Sequence, residues 1–210
     1  MIICFDLDGT LIDTEEWILD SQIEALNKNG IKPTKKQIYN MWGLTFSNQI
    51  KKLQPGIKKS KIDKIRNDFN EIRFSNLKKL KLFKNTRRVL NILAKDYKLC
   101  LVSNNGHNEL LRILKIVKLD TNLFEVIIGD TDVKRPKPFP DEIYLAEKRL
   151  NKKVNFMVGD TQQDIKTAKA AKVRSIIIKS GPKQIWKTLK DADYLVEDIK
   201  EIPKIIKNFK

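Results

Sequence analysis

The chain has 210 residues, 41% of them hydrophobic, which is enough for one large domain or for a domain carrying a smaller insert. Its longest apolar runs, such as 126–128 and 175–178, fall far short of the roughly 20 residues that cross a bilayer, and Asp6 arrives before any signal-peptide pattern develops, so a cytoplasmic protein without membrane association is expected. The formal charge of +16 raises a polyanion partner, whereas two cysteines, Cys4 and Cys100, give neither a disulfide framework nor metal-ligand spacing and read as buried core thiols.

In chain order, Ile2, Ile3, Cys4 and Phe5 read as a buried strand with Asp6-Leu7-Asp8-Gly9-Thr10 at its tip. Two acids one residue apart repel each other and resist desolvation. At a strand end they need a cation, or a division of labour between nucleophile and proton donor. Residues 14–29 form an amphipathic helix through Leu19, Ile23 and Leu26, with Glu15 and Glu16 in its first turn and Asn29-Gly30 closing it. After Pro33, the capping-box pattern Thr34-Lys35-Lys36-Gln37 opens a short helix through Ile38, Met41 and Trp42 that Gly43 breaks. A further short helix covers 47–53 up to Pro55-Gly56, and a longer one places Ile62, Ile65, Phe69 and Ile72 on one face. No strand is expected between residues 14 and 84. This stretch carries 16 Lys and Arg against 7 Asp and Glu. Its lysines alternate with Ile, Asn and Leu, without the Arg and aromatic interleaving of a groove that tracks a nucleic-acid strand. The charge therefore reads as a solvated surface that steers small anions rather than as a nucleic-acid site.

From Asn85 onward helices alternate with strands expected at 98–103, 124–129, 154–159, 174–179 and 194–196. That alternation implies right-handed crossovers and an α/β, Rossmann-like, mostly parallel sheet with helices on both faces, plus an inserted all-helical cap domain. The expected division is 1–13 and 85–210 for the α/β core and 14–84 for the cap. Ligands of such sheets bind at the carboxyl ends of the strands, where Asp6, Ser103, Asp130 and Asp160 all fall. A second acidic pair, in Gly159-Asp160-Thr161-Gln162-Gln163-Asp164, repeats the strand-then-acid pattern, so the two pairs are expected to be neighbours in space.

Four segments together resemble the motifs of the haloacid dehalogenase superfamily, in its phosphoglycolate phosphatase-like subgroup with a helical cap after the first motif. They are Asp6-Leu7-Asp8-Gly9-Thr10, Leu101-Val102-Ser103-Asn104, Lys137-Pro138-Phe139-Pro140-Asp141 and Gly159-Asp160-Thr161-Gln162-Gln163-Asp164. The resemblance spans essentially the whole chain. It implies a Mg²⁺-dependent phosphatase that hydrolyses a small organic phosphomonoester, phosphoglycolate-like, through an aspartyl-phosphate. It further implies Asp6, Asp160 and the backbone carbonyl of Asp8 as metal ligands, with Asp164 holding a coordinated water or Lys137. The residue types suit this chemistry. Phosphoryl transfer needs an in-line nucleophile and positive charge around the equatorial oxygens. Asp6 is the expected nucleophile, Asp8 the acid and base, and Lys137, between two prolines, a fixed cation. Ser103, Asn104 and Lys137 are expected to bind the substrate phosphate, and an all-oxygen ligand set suits Mg²⁺.

Other roles stay open. Thr10 is either a helix-entry residue or a support for Asp8. His107 reads as a solvent-facing helix start within reach of substrate. Relatives often carry a basic residue soon after the Ser-Asn pair, where this chain has Asn105-Gly106, and this weakens any transfer of substrate identity. The segment from Trp42 to Gln49 resembles the cap loop that dips into the site; Trp42 and Phe46 read as core packing, Asn48 and Gln49 as candidate leaving-group contacts. No glycine stands at the first hinge, Ile12-Asp13-Thr14. The alternatives are a sugar phosphomutase of the same family or a basic nucleic-acid-binding module; dehalogenation needs neither Asp8 nor the metal cluster. A monomer or dimer acting on a small phosphorylated metabolite is expected.

Overall fold

A computed structural model describes residues 1–42, 44–181 and 183–209. The helix break expected at Gly43 lies outside the described residues. The chain divides into two compact units, Met1–Asp13 with Lys81–Lys210, and Thr14–Leu80.

The first unit holds a six-stranded sheet. Its strands are β1 (Ile2–Phe5), β4 (Lys98–Ser103), β5 (Val126–Gly129), β6 (Phe156–Gly159), β7 (Arg174–Ile178) and β8 (Tyr194–Val196), in the order β5-β4-β1-β6-β7-β8. Every pairing is parallel. All four residues of β1 are fully buried, as a central strand covered on both faces must be, and this explains its unbroken apolar run where a half-exposed strand would alternate. On one face Ile2, Cys4, Cys100, Val102 and Met157 pack with Ile143 and Ala146 of α7 (Asp141–Leu150) and Ala168 of α8 (Gln162–Ala171). The thiols of Cys4 and Cys100 are free and lie at paired positions of β1 and β4. Because β4 lies on one side of β1 and β6 on the other, the strand order reverses at β1. In sheets of this kind, ligands bind beyond the carboxyl ends of the strands at such a reversal point.

Three strands are shorter than the sequence suggests, β7 by its last residue, since it stops at Ile178 before Lys179. Phe124 and Glu125 precede β5, and Val154 and Asn155 precede β6, where the Asn155 side-chain oxygen instead accepts the Ile2 N–H at 2.9 Å. A correction applies to 14–84: Lys81–Leu82 is a strand (β3), paired antiparallel with β2 (Ile12–Asp13). The residues expected to be a plain hinge loop are thus tied into a ribbon. Leu11 O accepts from the Phe83 N–H at 3.1 Å and from Thr86 Oγ1, also at 3.1 Å, at the start of α5 (Thr86–Leu93).

The second unit is helical: α1 (Glu15–Lys28), α2 (Lys35–Tyr39), α3 (Phe46–Leu53) and α4 (Lys59–Ser75). Its core joins Leu19 and Leu26 of α1 to Ile38, Ile50, Ile62, Ile65 and Ile72. The capping box at Thr34 and Gln37 is formed, with both reciprocal hydrogen bonds. The second helix stops at Tyr39 and a turn carries Met41 and Trp42, which pack on the same core beside Phe46. Gln49 is buried and donates to Met41 O and Leu44 O at 3.4 and 3.2 Å, so its amide braces the loop, whereas Asn48 is exposed. Among the described residues no helix is long and apolar enough to cross a membrane.

Candidate active site

Three carboxylates meet beyond β1 and β6. Asp6 follows β1, Asp160 follows β6 and Asp164 lies in the first turn of α8. All three are buried, and each offers an oxygen within 4.8 Å of the others. Lys137 enters from the loop before α7, itself buried, and its Nζ donates to Asp6 Oδ1 at 2.5 Å and to Asp164 Oδ1 at 2.8 Å. Asp164 is held by its place on the helix. Its Oδ2 accepts from Asp160 N at 3.3 Å, Thr161 N at 3.0 Å and Thr161 Oγ1 at 2.7 Å, the capping-box arrangement that satisfies exposed N–H groups and puts negative charge at the positive end of a helix.

The turn after Asp6 brings its partners close. Gly9 has φ +75°, and a Cβ there would stand 2.2 Å from Asp160 Oδ2, so only glycine allows both the left-handed backbone and the approach of the second acid. Its carbonyl accepts from Ser180 Oγ. Thr10 is fully buried, and its Oγ1 lies within donor reach of Asp6 Oδ2 at 3.3 Å and Asp160 Oδ1 at 3.4 Å. It therefore braces the Asp6–Asp160 pair, not Asp8.

The electrostatics follow from crowding. Burial pushes the Asp6 carboxyl up to about 7; Lys137 opposes this, while Asp164 and Asp8 add to it. Burial, followed by Asp164 and Asp6, raises Asp160 well above the usual carboxylate range. Burial alone would lower Lys137, but Asp164 and Asp6 outweigh it and raise its pKa. One lysine thus faces three acids, and the residual negative charge is what a divalent cation would neutralise. Glu142, fully buried in the first turn of α7, is pushed by burial up to about 7.

On the β4 side Ser103 is buried at the strand end, and its Oγ accepts from Asn105 N at 3.3 Å and Asn105 Nδ2 at 3.1 Å. Asn105 Nδ2 also donates to Asp8 Oδ2. Asn104 turns the other way, its amide bonded to Lys137 O at 3.2 Å and Gln163 Oε1 at 3.0 Å, so it ties three of the four motif loops together. Asp130 lies beyond β5 with its N–H on Asn105 O at 3.0 Å. His107 opens α6 (His107–Ile116) with Nδ1 2.8 Å from Asp132 Oδ2. Sequence reasoning did not assign Asn105, Glu142 or Ser180. An apolar strand followed by a run of small polar residues was the only signal for Asn105, and nothing in the sequence marks Glu142 as buried.

Buried carboxylates, a lysine held between two of them and an oxygen-only cluster are the kinds of group that transfer of an anionic, tetrahedral group requires. The family model described as haloacid dehalogenase-like hydrolase matches residues 3–178. The chain is 30% identical, over 98% of its length and 94% of the relative, to a pyrophosphatase PpaX candidate of Caldanaerobacter subterraneus subsp. tengcongensis. It is 27% identical to the pyrophosphatase PpaX of Listeria welshimeri, over 97% of the chain and 95% of the relative. The fold is similar to that of a hydrolase from Pseudomonas syringae, with a TM-score of 0.83 and 23% identity over 100% of this chain and 99% of that one.

Proposed function

From the premise that the chain belongs to the haloacid dehalogenase-like hydrolase family, we propose that it is a Mg²⁺-dependent phosphatase acting on a small phosphate compound through phosphorylated Asp6. The observation that carries this reading is the buried trio of Asp6, Asp160 and Asp164 with Lys137 Nζ 2.5 Å from Asp6. Structural proteins have little use for so many desolvated charges on one spot, because each costs several kcal/mol unless a partner compensates it.

In the proposed reaction an Asp6 oxygen attacks phosphorus while Asp8 gives a proton to the departing oxygen. Lys137 and the Ser103 hydroxyl hold phosphoryl oxygens, with Asn104 fixing the loops around them. Water then attacks the phosphorus of aspartyl-phosphate, Asp8 takes its proton, and inorganic phosphate leaves with Asp6 restored. The donor set fits Mg²⁺, since its atoms are all oxygens and its net charge is negative. Asp6, Asp160 and the Asp8 carbonyl would hold the ion, with Asp164 acting through a water or through Lys137. Bound there, Mg²⁺ supplies positive charge to a phosphoryl oxygen and favours ionised Asp6 at neutral pH. Residues 1–13 and 81–210 are the catalytic core in this reading. Residues 14–80 serve as a cap that excludes water during attack, and the setting is cytoplasmic.

Phosphoglycolate-like monoesters lead the substrate classes, and the pyrophosphatase relatives add pyrophosphate to the set to be tested. The test is a panel of phosphoglycolate, sugar phosphates and pyrophosphate assayed for phosphate release with Mg²⁺ and with EDTA. Phosphate release that stops in EDTA and returns with Mg²⁺ is expected. Isomerised sugar phosphate without free phosphate would instead identify a mutase.

A further inference from the structure

We propose that Asn105 is a positioning residue that fixes the orientation of the Asp8 carboxyl and turns the Ser103 hydroxyl toward the phosphoryl group. The inference rests on the acid/base reading of Asp8 given above. Asn105 is 4% exposed, and its main chain is fixed from both sides: its N–H points to Ser103 Oγ at 3.3 Å and its carbonyl accepts the Asp130 N–H at 3.0 Å. A side chain on so constrained a backbone has little freedom. Its single amide nitrogen donates both to Asp8 Oδ2 and to Ser103 Oγ at 3.1 Å, joining two strand-end loops 97 residues apart in sequence.

Each bond has a chemical consequence. An oxygen that accepts from an amide is the carbonyl-like one, so in the acid form of Asp8 the proton belongs on Oδ1. The carboxyl can then transfer only from that atom, without a competing rotamer. During attack by Asp6, the bond between phosphorus and the leaving oxygen breaks and the Oδ1 proton passes to that oxygen. During hydrolysis the same Oδ1 receives a proton from the attacking water as the bond from phosphorus to Asp6 breaks. The Ser103 hydroxyl already accepts twice from Asn105, so its own hydrogen is directed elsewhere, where a phosphoryl oxygen can accept it.

The test is release of the leaving group in the first turnover, followed before steady state with substrate in saturating excess, comparing β-glycerol phosphate with p-nitrophenyl phosphate. Glycerol needs a proton to leave; p-nitrophenolate does not. In Asn105→Ala, glycerol release is expected to slow by about 10- to 100-fold more than nitrophenolate release. The ratio isolates the contribution of Asp8, because Ser103 meets the same phosphoryl group in both substrates. Nitrophenolate should still appear as a burst ahead of slow turnover, since hydrolysis also needs Asp8. Asn105→Ser, which keeps a short donor, should restore part of the ratio, and it carries the comparison if the alanine variant does not fold. Adding Asn105→Ala to Asp8→Ala should change the ratio no further. Equal slowing of both substrates, or a full additional loss in the double variant, would overturn the positioning of Asp8 while leaving the acid/base reading intact, and an unchanged nitrophenolate burst in Asn105→Ala would overturn the positioning of Ser103. An Asp8→Ala enzyme that releases glycerol at the original rate would overturn that reading and this inference with it.

Discussion

Asp6 is asked to do two incompatible things, to stay buried and to carry charge. The fold meets the conflict with neighbours: Lys137 on one oxygen, and Thr10 within donor reach of the other. Its proton affinity still rises to about 7, against an ordinary 3.8, chiefly through burial. The sign of the pH effect follows. A carboxyl that binds its proton more tightly in the folded state contributes stability fully below its unfolded value, and this contribution is lost as pH climbs through the folded value. In EDTA this carboxyl should therefore destabilise the fold progressively between about pH 4 and pH 7. A divalent cation competes with the proton, so the rise in Tm on adding Mg²⁺ should be larger at about pH 8 than at about pH 6. Thermal unfolding at both pH values, with and without the ion, measures this; equal rises would mean that Asp6 is not among the ligands.

The elements that position the site are few. Parallel strands β1, β4 and β6 end side by side and deliver Asp6, Ser103 and Asp160, and α8 contributes Asp164 from its first turn. These strands were legible because a strand buried on both faces must be apolar without interruption, and because a strand followed by acid is a conspicuous pattern. The β2–β3 ribbon was not, since two residues are too few to show alternation and its pairing joins positions 12 and 82. The ribbon is anchored where Thr86 Oγ1 donates to Leu11 O. Thr86→Val keeps the shape and removes the donor, so it should lower unfolding stability by about 1 kcal/mol, read as a shift in the urea midpoint with unchanged slope. A variant as stable as the parent would remove this anchor from the account. Thr10 and Asn105 were illegible for a related reason: each is defined by what approaches it in space, and Asn105 meets Asp8 from 97 positions away.

At the scale of the molecule, a chain with a formal charge of +16 carries a buried acidic cluster of Asp6, Asp160 and Asp164. Much of the excess lies in 14–84, where the lysines punctuate helices instead of forming a stripe with aromatics. Such a field raises the encounter rate of anions and is screened by salt, with a Debye length near ~8 Å at physiological ionic strength. For a phosphate substrate, kcat/KM should fall with added salt while kcat stays level, as steady-state kinetics across a salt series would reveal. If kcat/KM is flat, the charge serves solubility alone. Tight, steeply salt-dependent binding to a nucleic acid would instead revive the binding-module reading.

In the proposed reaction Asp6 itself becomes phosphorylated, and this is directly measurable. Enzyme mixed with excess substrate in Mg²⁺, quenched in acid within the first turnover, digested and analysed by mass spectrometry should carry a phosphoryl group on the peptide that contains Asp6. Asp6→Asn, folded by circular dichroism, should carry none and release no phosphate. A phosphoryl group on another residue, or turnover retained in Asp6→Asn, would contradict the account.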